Sequence, residues 1–154
     1  MAGISYKTTI NDADMREKLA ELIGRMKNAR GFYKNVGDHL LNSVGENFEN
    51  ETAPDGTRWK TLSAVTRDLR SRKYGNAPVT ILRASGALRG SINAAVSDTD
   101  VRIGSALPYA AIHQLGGQAG RNRKVTIPAR PYLGLSSDDE TRIFEIAEDW
   151  LEVE

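Results

Sequence analysis

Two clusters of basic side chains are the groups in this sequence best suited to bind a charged partner. The first consists of Arg67, Arg70, Arg72 and Lys73, and the second consists of Arg121, Arg123 and Lys124. Guanidinium and ammonium groups attract DNA phosphates and the carboxylates of an acidic protein alike. The first cluster is therefore a candidate DNA-facing surface, and the second a candidate interaction arm. An ordinary solvated helix face and a mobile surface loop are the respective alternatives.

Recognisable catalytic patterns are missing from the sequence. It contains no cysteine, no nucleophile elbow, no HExxH zinc motif, no phosphate-binding P-loop and no GxGxxG dinucleotide motif. His39 and His113 are far apart in the chain, and neither belongs to a recognisable triad. The sequence therefore predicts a protein that is not an enzyme and has no cofactor or metal. A hydrolase whose acids or histidines meet only in the folded chain is the alternative.

Length and charge are those of one ordinary domain. The 154 residues suit a single domain covering 1–154, and the net charge of +1 means that any nucleic-acid contact depends on a local patch. No apolar run approaches the roughly 20 residues that span a bilayer. The first residues also lack the pattern of a signal peptide. We expect that the protein has no membrane partner and that it is assembled in the cytoplasm.

Hydrophobic periodicity predicts a long N-terminal helix pair. Alternating residues predict a strand over 3–10, and an apolar stripe then predicts an amphipathic helix that ends near residue 28. The stripe consists of Met15, Leu19, Leu22 and Met26, with Ile23 beside them. A second helix is predicted over 32–50. Gly37 and Gly45 lie inside it, where they are either simply tolerated or allow a neighbouring backbone to come close.

The remaining chain predicts short helices and antiparallel strands. Leu62, Val65 and Leu69 mark a helix that ends near Arg72, and a capping box over 137–140 begins a C-terminal helix. Further predicted features are a short helix through Gly90, strands over 92–97, 100–104 and 124–128, and a mobile basic arm at about 117–124. The fold class is α+β: a small, mainly antiparallel sheet packed with three to four helices, including the long N-terminal pair and the C-terminal helix.

Residues 101–133 organise the chain. Two blocks dense in glycine, proline and aromatic residues, VRIGSALPYAAIHQLGG and VTIPARPYL, flank the arm. Proline fixes its own φ and restricts the preceding residue, so the second block is stiff. We interpret this stretch as a rigid docking surface with four candidate contact residues: Tyr109, His113, Arg130 and Tyr132. For Arg130, hydrogen bonding within the chain is the alternative to an acid on a neighbour.

The order of these blocks resembles the Mu-type phage virion morphogenesis family, the group of tail-completion and neck proteins. Additional matching motifs are Pro54-Asp55-Gly56 with Trp59 and Leu62, and the segment ILRASGAL at 81–88. The matching motifs cover roughly residues 40 to 136 in the family's order. The resemblance implies a structural virion protein that acts where head meets tail.

Further implications of the resemblance concern partners and place. It implies a homo-oligomeric ring around the DNA channel, with a hexamer as one candidate size. Its expected neighbours are a connector or adaptor, a tail terminator or a tail tube, and genomic DNA would pass through the ring. The expected location is the neck or tail of the virion, after assembly in the host cytoplasm. A nucleic-acid-binding module that uses the two basic clusters is the alternative function.

Overall fold

The computed structural model describes residues 12–75 and 78–152. Two long helices open the described chain, α1 (Ala13–Lys27) and α2 (Arg30–Asn50), followed by α3 (Ala64–Tyr74) and the short α4 (Ala87–Gly90). The C-terminal half contains β1 (Asn93–Val96), β2 (Val101–Gly104), α5 (Ala110–Leu115), β3 (Gly117–Ala119), a 3₁₀ turn (Arg121–Arg123), β4 (Val125–Ile127) and α6 (Ser137–Leu151). The α+β class is confirmed. The strand expected over 3–10 lies outside the described residues.

The described strands form two separate antiparallel hairpins instead of one sheet. In the first hairpin Asn93 pairs with Gly104 and Val96 with Val101, and in the second Gly117 pairs with Ile127. The strand predicted at 124–128 is present, but its partner comes from the segment predicted as an arm. Residues 117–124 are therefore one strand and the tip of a hairpin.

Helix α2 is the central element, and it packs against both α6 and the first hairpin. Gly37 allows the hairpin to come close, because a Cβ built on it would lie 3.1 Å from Val101 Cγ2 and 3.3 Å from the Ala94 Cβ. Gly45 has only the Arg89 guanidinium near it, at 3.4 Å. Close approach is thus the role of Gly37, whereas Gly45 is simply tolerated.

The core lies at the C-terminal end of α2. Phe48 is fully buried, and its ring meets the rings of Trp59 and Tyr132 at centroid distances of 5.6 and 5.1 Å. Val44 and Leu88 extend the same buried cluster. Aromatic pairs in such tilted or edge-on geometry add about 0.5–1.5 kcal/mol to the burial of their area.

Helix α6 begins one residue earlier than the sequence pattern suggested. The capping box is formed by Ser136 and Asp139, not by residues 137 and 140: the Ser136 hydroxyl accepts from the Asp139 amide, and the Asp139 carboxylate accepts from the Ser136 amide. An aspartate at the third helical position performs the part usually taken by glutamate or glutamine. Ile146 lies on the buried face of the helix.

Helix α1 differs most from its predicted environment. No residue of α1 is buried, and Met15, Leu19, Ile23 and Met26 are each at least half exposed. These four residues, here called the α1 stripe, lie at helical spacing on one face. Helix α1 is joined to the end of α6 by Arg25, which donates hydrogen bonds to the Trp150 and Glu152 carbonyls.

Candidate interaction site

The two motif blocks at 101–117 and 125–133 bind each other inside the chain. Gln114, on α5, accepts hydrogen bonds from the amides of Tyr132 and Leu133 at 2.9 and 3.0 Å and donates to the Leu133 carbonyl at 2.8 Å. The Arg130 amide donates to the His113 carbonyl at 2.8 Å. We call this set of bonds the motif lock. It satisfies the backbone of a proline-containing segment that cannot enter a regular sheet.

The motif lock also reaches back to the first half of the chain. Trp59 donates its indole N–H to the Pro131 carbonyl at 2.7 Å, and Asn47 donates to the Tyr132 carbonyl at 3.2 Å. The Tyr132 hydroxyl donates to the Ala110 carbonyl at 2.9 Å. The aromatic and amide residues of these motifs therefore hold the fold together. Sequence reasoning missed Gln114 and Asn47, because a single side-chain amide leaves no periodic signal.

Two of the four predicted contact residues are internal. Tyr132 is 1% exposed and Arg130 is 5% exposed. Arg130 donates from Nε and an Nη to the carbonyls of Lys60 and Thr61, at 2.8 and 3.2 Å. For Arg130 the structure shows the alternative, hydrogen bonding within the chain, which ties the loop before α3 to the motif lock. Tyr132 is turned inward as well, and this corrects the prediction of a docking role for its side chain. Tyr109 remains exposed, and its ring lies edge-on to that of His113.

Gly116 fixes the geometry where α5 ends. Its φ is +74°, and a Cβ there would lie 2.7 Å from the Ala129 amide nitrogen and 3.0 Å from the Ile127 carbonyl. Any side chain would therefore separate the two motif blocks. Helix α5 ends at this glycine with a positive φ and a ψ of 175°, a backbone conformation that is essentially open only to glycine.

A groove of about 530 Å³ opens beside the motif lock. Its basic lining residues are Lys60, Arg70, His113 and Arg130, and its apolar lining residues include Leu62, Leu82, Val125, Ile127 and Pro128. None of the described residues that line it is acidic. We call it the basic groove. Such a surface suits a ligand that carries both negative charge and apolar groups.

The electrostatics of the basic groove are visible in its ionisable groups. Burial lowers the pKa of His113, and the charges of Arg130 and Arg70 lower it further. Burial and then the charge of Arg70 likewise lower the pKa of Arg130. The His113 Nδ1 atom is buried without a hydrogen-bond partner among the described residues. Positive charge is thus concentrated at this place, and the Glu51 carboxylate near Arg130 only partly offsets it.

The first basic cluster is divided in the structure. Arg70 turns toward the Thr80 carbonyl and lines the basic groove, whereas Arg67, Arg72 and Lys73 are exposed on α3. The predicted helix is present, but Val65 and Leu69, whose spacing marked it, are 69% and 60% exposed. Within the described chain, too little structure covers α3 to bury its apolar side.

The second basic cluster occupies the tip of the β3–β4 hairpin. Arg121, Arg123 and Lys124 are all exposed there. None of the three forms an ion pair among the described residues. Asn122 and Arg123 adopt φ values of +59° and +54°, which turn the tip. These cations are therefore available for an external anion.

A second polar cluster joins α2 to α6. Asp139 is 2% exposed and accepts from His39 Nε2 at 2.8 Å and from the Ser43 hydroxyl at 2.9 Å, in addition to its capping bonds with Ser136. Burial raises the pKa of Asp139, but these hydrogen bonds outweigh burial and lower it overall. Serine and histidine both bind the carboxylate instead of each other, so the arrangement is not a nucleophile–base pair.

Among the parts of the chain that the structure describes, no group of histidines and acids could hold a metal ion. None of the described helices has the length and apolarity needed to cross a membrane. The described chain presents three surfaces to its surroundings: the basic groove, the exposed cations and the α1 stripe.

Comparison with known proteins identifies the group to which this architecture belongs. The model of the phage virion morphogenesis family matches residues 10–152. The chain belongs to this family. The resemblance drawn from the motifs is thereby confirmed, and the match extends beyond the motifs to both ends of the described chain.

The chain is similar in sequence to proteins of phage Mu and of a Mu-like prophage. The chain is 35% identical to the Mu-like prophage FluMu G protein 2 of Haemophilus influenzae over 120 residues, which cover 78% of this chain and 76% of that protein. It is 34% identical to the putative capsid assembly protein G of Escherichia phage Mu over 125 residues, 80% of each chain. No solved structure matches the chain.

Membership of a virion morphogenesis family supports a structural role in phage assembly and an association with the virion. The names of the family and of its relatives point to assembly proteins, not to enzymes. In the fold, the family motifs build the motif lock, and the surfaces around it are left for contacts with other molecules.

Proposed function

We propose that this protein completes the head–tail neck or the proximal end of the tail, as a ring of several copies around the DNA channel. Membership of the family supports a role in virion assembly. The observation that carries the finer proposal is the α1 stripe, four large apolar side chains left exposed on one helix face. Contiguous apolar surface on a folded chain commonly marks a contact with another protein.

A ring requires two different surfaces on each copy, one for each neighbour. Large exposed apolar residues occur on α3 and α6 as well as on α1: Val65, Leu69 and Phe144 are each at least 60% exposed. Several unlike patches on one chain suit a closed ring that also touches a connector, a tail terminator or a tail tube. They suit a monomer free in solution poorly.

The test is complementation of a phage or prophage from which the gene has been deleted. The Leu19→Asp/Ile23→Asp variant places two charges in the α1 stripe and is expected to leave heads and tails unjoined in electron micrographs. Lys18→Asp changes an exposed polar position on the same helix and serves as the matched control. Circular dichroism of each purified variant checks that α1 and the rest of the fold persist. Normal yields of infectious particles from the deletion itself would refute the proposal.

Binding to nucleic acid is the second candidate function. The exposed cations at the hairpin tip and on α3 favour it, because phosphate contacts need exposed Lys and Arg. Affinity for DNA should then fall with salt, and replacing Arg121 and Arg123 by alanine should reduce the salt slope by about 2. Lack of retention on DNA at low salt would exclude this function.

A further inference from the structure

Helix α6 has a surface that complements the basic groove in both charge and apolar character. Between Ser137 and Leu151 it carries six acidic residues and one basic residue. On its outer face Phe144 is 71% exposed. Glu140 and Glu148 lie one turn before and after Phe144, so they share its side of the helix. Within the described chain this phenylalanine therefore lies in water between two carboxylates.

The basic groove presents the opposite arrangement. Lys60, Arg70, His113 and Arg130 line it together with apolar residues, here called its floor, that include Leu82 and Ile127. A bound anion without apolar groups would leave the apolar floor exposed to water. A bound apolar peptide would leave the basic side chains without an anionic partner. DNA phosphate satisfies only the charge, whereas an acidic helix with a central aromatic residue satisfies both.

The two surfaces lie on different elements of one chain. Helix α6 packs on α1 and α2, whereas the basic groove is formed by the loop before α3, by α3 itself, and by α5 and β4. Both surfaces stay open in one chain, as a head-to-tail contact requires. A head-to-tail contact repeats from copy to copy and closes into a ring when its rotation permits.

We propose that the basic groove receives the outer face of α6, centred on Phe144, from a second copy of this chain. This inference rests on the proposed function, because it names the contact that would join neighbours in the ring. Phe144 packs on the apolar floor, and Glu140 and Glu148 pair with Lys60 and Arg70. An acidic occupant also neutralises the field that the arginines impose on His113.

Cross-linking in assembled particles tests the contact, and the absence of native cysteine makes it specific. Thr61→Cys places a thiol at the exposed rim of the groove, and Thr141→Cys places one on the outer face of α6, one turn from Phe144. With both changes in every copy, a short bis-maleimide should give a ladder of multimers on a denaturing gel. The matched control combines Thr61→Cys with Lys18→Cys on α1, and its ladder should be at least about tenfold weaker.

Charge reversal separates a specific contact from accidental proximity. In the double-cysteine background, Lys60→Glu/Arg70→Glu in the groove should reduce the ladder by about tenfold, because like charges then face each other. Glu140→Lys/Glu148→Lys on α6 should do the same. Combining both reversals should restore the ladder, which a merely misfolded groove would not permit.

The outcomes distinguish the contact from the broader function. Particles that contain the protein but give no ladder above the control would overturn the contact and leave the proposed function standing. Cross-linking of the groove thiol to a different virion protein would overturn it in the same way, as would DNA bound in the groove. Normal particles that lack the protein altogether would refute the proposed function itself.

Discussion

Replacing Gln114 by methionine tests whether the motif lock holds the fold together. Methionine has nearly the same volume and flexibility as glutamine, so the change removes hydrogen bonds without opening a large cavity. The amides of Tyr132 and Leu133 lose their acceptor, and the Leu133 carbonyl loses its donor. Proline at 131 leaves this segment no regular strand in which to find replacements.

The expected loss follows from those three bonds. Each contributes about 0.5–1.5 kcal/mol net, so the free energy of unfolding should fall by about 3 kcal/mol. For a chain of this size that corresponds to a decrease of about 6–12 °C in the melting temperature. Because the site is only partly buried, water can replace part of the lost hydrogen bonding, so the decrease in melting temperature should lie toward the lower end of that range.

Urea unfolding followed by tryptophan fluorescence measures the effect, since Trp59 donates to the same segment. Gln118→Met is the matched control, because Gln118 is exposed in the neighbouring hairpin. Amide hydrogen exchange at Tyr132 and Leu133 should accelerate in Gln114→Met alone. If the two variants have unfolding free energies within about 0.5 kcal/mol of each other, the motif lock does not stabilise the fold.

Three further predictions concern single groups. Gly116→Ala should lower the free energy of unfolding by at least about 2 kcal/mol in the same urea assay, because Gly116 has a positive φ and lies close to the Ala129 amide. Gly90→Ala is the control, because a Cβ on Gly90 would meet open space. Equal effects of the two changes would contradict the close approach of the two motif blocks. Tyr132→Phe should lower the free energy of unfolding by about 1 kcal/mol, because the hydrogen bond to the Ala110 carbonyl is lost, whereas Tyr109→Phe should leave it unchanged. If Tyr132→Phe has no effect, that hydrogen bond does not stabilise the fold. The Asp139 carboxyl has a pKa below its ordinary 3.8, so its contribution to stability is present above that pH and is lost as the pH falls through the lower folded value. Asp139→Asn should therefore flatten the acid side of the stability–pH curve measured by urea unfolding, and an unchanged slope would assign acid sensitivity to other groups.

The helices and the hairpin over 93–104 could be predicted from the sequence because their signals are local. Periodicity, capping residues and alternation lie within a few positions of each other. The second hairpin was half predicted: β4 has alternating residues, but β3 consists of Gly117, Gln118 and Ala119, which carry no strand preference. Its pairing is decided by the turn between the strands.

The candidate site was harder to predict, since it depends on which way side chains turn. Arg70 and Arg67 are alike in the sequence, yet only Arg70 lines the basic groove. The same limit applies to Tyr132, whose burial is set by partners as distant as Asn47. Exposure of the α1 stripe was unpredictable for a related reason: an amphipathic pattern shows that a face prefers to be covered, but not by what.

The long reach of the motif lock has a consequence for how the protein is made. Asn47 and Trp59 leave the ribosome some 70 to 85 residues before the carbonyls of Tyr132 and Pro131 to which they donate. Until then Phe48 lacks the Tyr132 ring against which it packs, so the hydrophobic core of the nascent chain is incomplete. Maturation of the fold therefore waits for synthesis of the second motif block, and in the proposed ring a copy could join its neighbours only after that point.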